Sequence, residues 1–299
     1  MGKLVVLFAS LISIHQVGQA QNPETYRLFH QEKQQKVYLK VSAKTASYQI
    51  KVADQPHYLI NLSPPSSTAT YPDPIYSDNS INGTRQIFLN LDESNKSNSS
   101  LSNKFLQAVN SNENEATPWG ISLSNQVPFQ LDLNYGMGDA TFDLSDLAIS
   151  KLKVNTGSAD VALDYSDGTG NKTTMDTLLA EVDLGSLSLH CLNHTRAKEV
   201  IANVGFGSLL LHITPQNTGP CHVSASVGAG NLVVKLASSS TPVYIRFSGS
   251  PLCRIKLPAF LKQVGDNIYV NEAYEADSES ATRFDIDVAM GQVSFQLDN

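Results

Sequence analysis

The chain has 299 residues, 41% of them hydrophobic and 16% charged, with a formal net charge of −7. A chain of that length and apolar content buries a sizeable core, which excludes wholesale disorder. With 21 basic against 28 acidic residues it has no cationic excess to neutralise a phosphate backbone or an anionic lipid surface, which argues against nucleic-acid binding.

Met1-Gly2-Lys3 supplies a short positive start, Leu4 to Ile14 an apolar run, and Gly18-Gln19-Ala20 small residues at −3 and −1. This pattern predicts a cleavable secretory signal over residues 1–20, cut after Ala20. The run stops at His15-Gln16, short of the roughly 20 apolar residues a membrane span requires. No later stretch is longer, so the mature chain is expected to be secreted, periplasmic or at the cell surface, with no membrane span.

Residues 21–118 read as an irregular β region. Lys36 to Val41 and Tyr48 to Val52 alternate as two strands around small residues, and His57 to Leu62 and Arg85 to Leu91 alternate likewise. The proline-rich stretch at 63–80 and the Asn/Ser-rich stretch at about 93–115 are expected to be disordered loops. Trp119, the single tryptophan, opens a strand and is expected to plug the end of the core that follows.

From about residue 129 the sequence repeats. Leu179-Ala-Glu-Val-Asp-Leu-Gly185-Ser-Leu-Ser-Leu-His190 matches Ile201-Ala-Asn-Val-Gly-Phe-Gly207-Ser-Leu-Leu-Leu-His212 without a gap. Each copy is an alternating apolar strand, a pair of small residues and a second alternating strand. The second small residue falls at 138, 159, 185, 207, 230, 250 and 291, with Val264 to Val270 as a degraded copy inside the last interval. A unit this short cannot bury its apolar face alone, so copies must stack. The period of two predicts strands, and the central glycine a tight bend with close approach of neighbouring coils. Residues 119–299 are therefore expected to form an all-β, single-stranded β-solenoid of 20–26-residue coils stacked in chain order, with Leu133, Val154, Val182, Val204, Val227 and Phe247 as one core ladder.

Five residues after the anchors stand Asp164, His190, His212 and Lys235, pointing outward by alternation. Stacking would bring His190 and His212 about 5 Å apart, with His194 nearby, and imidazoles suit zinc, copper or nickel. These three are the candidate metal ligands; a solvated polar column is the alternative. Cys191, Cys221 and Cys253 show no zinc-ligand spacing and fall out of register with one another, so no intramolecular disulfide is expected. Asn-x-Ser/Thr triplets, Asn171 and Asn193 among them, follow from an Asn/Ser-rich composition. No nucleophile elbow, zinc-protease helix or phosphate loop occurs. No catalytic or cofactor-binding residue is assigned.

Trp119-Gly-Ile-Ser-Leu, the run from Val127 to Leu147, and Lys151 to Val161 resemble the toast-rack families of bacteria, which include LiaF-type C-terminal domains and adhesin head domains. That resemblance implies a β-helical extracytoplasmic domain without an active site, connected with envelope sensing or adhesion. The LiaF-type pattern differs in having preceding membrane helices. The expected function is a non-enzymatic binding or structural module whose partner is an unidentified protein or glycan of the envelope; the alternative is a carbohydrate-active enzyme with carboxylates on a β-helix flank.

Overall fold

The computed structural model describes residues 25–31, 36–45, 47–65, 74–91, 118–214, 221–275 and 281–298. The expected signal at 1–20 and loop at 93–115 lie outside the described residues. In chain order the strands are β1 (Tyr26–Phe29), β2 (Lys36–Ala43), β3 (Tyr48–Val52), β4 (Tyr58–Ser63), β5 (Ile75–Ile81), β6 (Thr84–Asn90) and β7 (Trp119–Leu123). Five long strands follow, β8 (Phe129–Asp143), β9 (Ile149–Asp164), β10 (Met175–Leu189), β11 (Ala197–Ile213) and β12 (His222–Leu236). Then come β13 (Val243–Gly249), β14 (Cys253–Lys256), β15 (Lys262–Gly265), β16 (Ile268–Val270) and β17 (Thr282–Leu297). All belong to one open sheet, and the one helical element among the described residues is a 3-10 turn at Leu192–Thr195. The protein is all-β.

The long strands cannot be straight. β8 has 15 residues and would extend about 50 Å. It pairs parallel and in register with β9, from Phe129 against Ile149 to Asp143 against Asp164. Only residues 144–148 connect the two, and five residues reach at most about 18 Å. The strand must therefore fold back near its middle, which is where Gly138 adopts φ 111°. Each long strand is a folded rung, and the two arms enclose the core between them.

Gly207 shows what the fold demands of that position. Its φ is 141°, and an added Cβ would land on the carbonyl oxygen of Gly185 in the rung below. Gly185, Gly207, Gly230 and Gly291 stack directly on one another.

The parallel stack runs β6 with β7, β2 with β3, β8, β9, β10, β11, β12, β17, and last β13 with β14. Antiparallel strands flank both ends, with β5 on β6, β4 on β7 and β1 on β4 at one, and β16 on β13 and β15 on β16 at the other. One hydrophobic core extends from Val37 to Phe295. Trp119, 1% exposed, lies on the outermost parallel rung of its arm.

Three expectations are corrected. Stacking does not follow chain order: β17 inserts between β12 and the β13–β14 rung. The β13–β14 rung breaks at Ser250-Pro251, has Cys253 rather than Ser250 against Gly291, and exposes Arg254 and Lys256. Such short, charged segments suit an edge rather than the middle of a stack. The degraded coil at Val264 to Val270 is an antiparallel β15–β16 hairpin. Second, Val154 aligns with Ala180, and Val182 with Thr156. The six expected ladder residues are all buried, but they occupy two neighbouring ladders. Third, part of the expected loop at 63–80 is strand β5, paired with β6 through a turn at Asn82 and Gly83 with φ 51° and 75°. Asn-Gly is the hairpin signal that the proline-rich reading overlooked.

Candidate functional site

Within each arm the side chains alternate, inward then outward. At the bend the phase slips by one residue. On β11, Val204 and Leu209 both point into the core, although their separation is odd. The slip turns the residue before the bend glycine outward, where plain alternation from Val204 would bury it.

That position forms a column of Met137, Ser158, Leu184, Phe206, Ala229 and Met290, in register from β8 to β17. Leu252, just before Cys253, extends it onto the last rung. Phe206 is 63% exposed, Leu184 54%, Met290 52% and Met137 43%. Scattered apolar residues on a surface are ordinary, whereas here large apolar side chains share one line, with Ser158 and Ala229 interrupting it. At about 4.8 Å per rung, the six steps from Met137 to Leu252 give a ridge of about 29 Å.

Polar columns flank the ridge. On one side Asp139, Asp160, Ser186, Ser208, Asn231 and Gln292 are in register, and Ser186 donates to Asp160 at 2.6 Å. On the other runs the column of Asn134, Asn155, Glu181, Asn203, Ser226 and Asp287, with Ser226 donating to Asn203 at 2.7 Å. Between that column and the ridge lie Gly136, Gly157 and Asp183. A Cβ on Gly157 would come within 2.8 Å of the Gly136 carbonyl oxygen, so bare backbone forms the floor of an open groove of about 440 Å³ lined by Lys44, Asn134, Asn155, Glu181 and Asp183. Asp139, Asp160, Glu181, Asp183 and Asp287 take part in no ion pair among the described residues.

The candidate metal ligands lie elsewhere, at the far end of the second arm. The rings of His190 and His212 meet edge-on with centroids 6.2 Å apart, and His212 Nε2 is hydrogen-bonded to Asp298 Oδ2 at 2.8 Å. His194 sits on the 3-10 turn, 4% exposed, against Tyr165 with ring centroids 6.2 Å apart. Among the described residues no three His, Cys, Asp or Glu side chains are grouped to hold a metal ion.

Cys191, Cys221 and Cys253 are free thiols. Burial pushes the Cys221 thiol up to about 12, and burial together with the nearby Asp164 carboxylate raises Cys191. Asn171 is 2% exposed. It accepts from Ile149 N at 2.7 Å and donates to the carbonyls of Ile149, Thr173 and Thr195 at 2.7, 2.8 and 3.1 Å. It is a structural clamp between corners, not an exposed sequon.

Residues 77–182 match the model of the N-terminal domain of toast_rack, DUF2154. Over that stretch, about a third of the chain, it is similar to the toast-rack family. The toast-rack match takes in β8 and β9 whole, with Met137 and the Asn134–Asn155 part of the groove. A proposed cell adhesion protein of Clostridium sporogenes ATCC 15579 is similar at 15% identity and a TM-score of 0.41, covering 93% of this chain and 100% of that one. A proposed adhesin of Bacteroides fragilis NCTC 9343 is similar at 12% identity and a TM-score of 0.33, covering 93% and 96%. No curated protein matches significantly. No helix among the described residues is long and apolar enough to cross a membrane.

Proposed function

We propose that this toast-rack chain is a secreted or envelope-associated, non-enzymatic β-solenoid, adhesin-like in role, that binds a partner along its bend edge. Coils of about 20–26 residues, folded at a glycine in β8, β10, β11, β12 and β17 and at Ala159 in β9, build that edge, and a signal cleaved after Ala20 delivers the chain outside the cytoplasm. The observation that carries this reading is the row of exposed Met137, Leu184, Phe206, Met290 and Leu252, which the stack holds in line at fixed spacing. A solenoid flank of this kind offers an extended surface to a protein or glycan. The groove beside it is shallow and open, which favours binding along its length over chemistry at one deep point.

The test compares the mature chain with a Leu184→Ser, Phe206→Ser variant, both immobilised and exposed to envelope extract from the source cells. Both side chains are outward, so the variant should melt with the parent. Loss of the retained envelope material in the variant is the expected result. Equal retention by both chains would remove the bend edge from the function.

A further inference from the structure

Resting on that reading, we infer that the bend edge takes an extended polypeptide segment in which lysine or arginine alternates with apolar residues. The ridge offers apolar contacts at Met137, Leu184 and Phe206. Carboxylates stand on both sides of this part of it. Asp139 and Asp160 lie along one flank on β8 and β9, and Glu181 and Asp183 stand on the other, both on β10. None is in an ion pair among the described residues. Carboxylates on both sides of an apolar line complement a strand whose apolar side chains face the ridge while its long cationic side chains, which start on the opposite face, fold back over the edges to the flanking carboxylates.

The same charges disfavour the other occupants. A second copy meeting this edge would bring carboxylates against carboxylates, which costs several kcal/mol. An anionic lipid surface would be repelled for the same reason. A glycan would ask for aromatic platforms, and the ridge supplies Met and Leu with a single Phe. Lys44, which lines the groove, and Lys153, whose Nζ reaches the Asn155 side chain next to Glu181, are the cations near the stretch between Met137 and Phe206, and the four carboxylates Asp139, Asp160, Glu181 and Asp183 outnumber them. About four rung spacings, roughly 19 Å, separate Met137 at the start of that stretch from Ala229 just past Phe206, which an extended segment of about six residues spans.

The probe is a fluorescein-labelled 12-residue peptide of alternating Lys and Leu, measured by anisotropy against the mature chain. Controls are the Glu/Leu peptide of the same pattern, a 12-residue oligolysine, and vesicles containing phosphatidylserine. The Lys/Leu peptide is expected to bind at least tenfold more tightly than either control peptide, and to weaken as salt is raised. A variant with Asp139→Asn, Asp160→Asn, Glu181→Gln and Asp183→Asn should lose at least tenfold, and Leu184→Ser, Phe206→Ser a similar factor. Absent or equal binding of the Lys/Leu and Glu/Leu peptides overturns the inference. So does preferential binding of the vesicles, or a dimer in light scattering that the Leu184→Ser, Phe206→Ser variant abolishes. If the peptide fails while that variant still loses envelope material, the cationic partner is wrong and the binding edge stands. Equal envelope retention would remove the edge itself.

Discussion

Gly207 lies against Gly185 so closely that the space for a side chain on the upper residue is filled by the carbonyl of the lower one. The same contact recurs upward, with Gly230 over Gly207 and Gly291 over Gly230. From Gly185 to Gly291 each glycine leaves room for the carbonyl of the rung below, whereas Ala159 beneath this stretch and Cys253 above it carry side chains in the same column. Gly207→Val combines an unfavourable backbone conformation with overpacking and is expected to destabilise by roughly 2–4 kcal/mol. Ser188→Val, outward on β10, should change stability by no more than about 0.5 kcal/mol. Thermal melts of the two variants check this, and equal melting temperatures would mean that the column glycines are ordinary turn residues.

The repeat was legible because the bend imposes a chemical requirement at one position and alternation imposes another on each arm, so Gly185 and Gly207 align by inspection. The ridge was not legible, because alternation counted from Val182 or Val204 places Leu184 and Phe206 inside. Only the phase slip at the bend turns them out, and an odd spacing between inward residues, such as Val204 and Leu209, is its trace in the sequence. The rung order was hidden for a different reason. Nothing local to β17 distinguishes a neighbour in β12 from one in β13, and the charged edge residues Arg254 and Lys256 were the available hint. Of the histidines, His190 and His212 stack as their common offset from the glycines implies, whereas His194 follows a left-handed Cys191 (φ 52°) into a turn that alternation cannot describe.

Asn171 satisfies four backbone groups at the corner between β9 and β10, and Asn271 plays the same part at the other end, accepting from Val243 N at 3.0 Å and donating to Ser239 and Thr241 carbonyls at 2.7 and 2.6 Å. Removing the amide strands buried donors and acceptors, so Asn171→Ala is expected to cost about 2–4 kcal/mol. Urea unfolding of the mature chain and the variant measures it. A change below about 0.5 kcal/mol would mean that water replaces the clamp.

The three thiols should differ in the folded protein. Burial raises all three, Cys221 the most, so at pH 8 a thiol-specific reagent should leave Cys221 unmodified and react slowly with Cys191 and Cys253. After unfolding without reductant, all three are expected to titrate. One titratable thiol in the unfolded chain would reveal a disulfide and contradict the free pairing state of the fold.

Asp285 on β17 ties together the rungs that meet out of chain order. One oxygen is hydrogen-bonded to His222 Nε2 of β12 at 2.6 Å, and the other accepts from Arg246 Nε of β13 at 2.6 Å. Burial works against its charge, but the bonds from His222 and Arg246 hold the carboxyl below the usual carboxylate range. A carboxyl lowered on folding contributes stability that is present above its unfolded value, about 3.9, and is lost as the pH falls through its folded value. The pair is partly exposed, so Asp285→Asn is expected to cost only about 0.5–1 kcal/mol at pH 7. The difference in melting temperature between parent and variant should then shrink as the pH drops from 5 towards 3. A difference that stays constant over that window would show that the asparagine disturbs packing at the β12–β17 junction, and that the carboxylate charge does not hold these rungs in place.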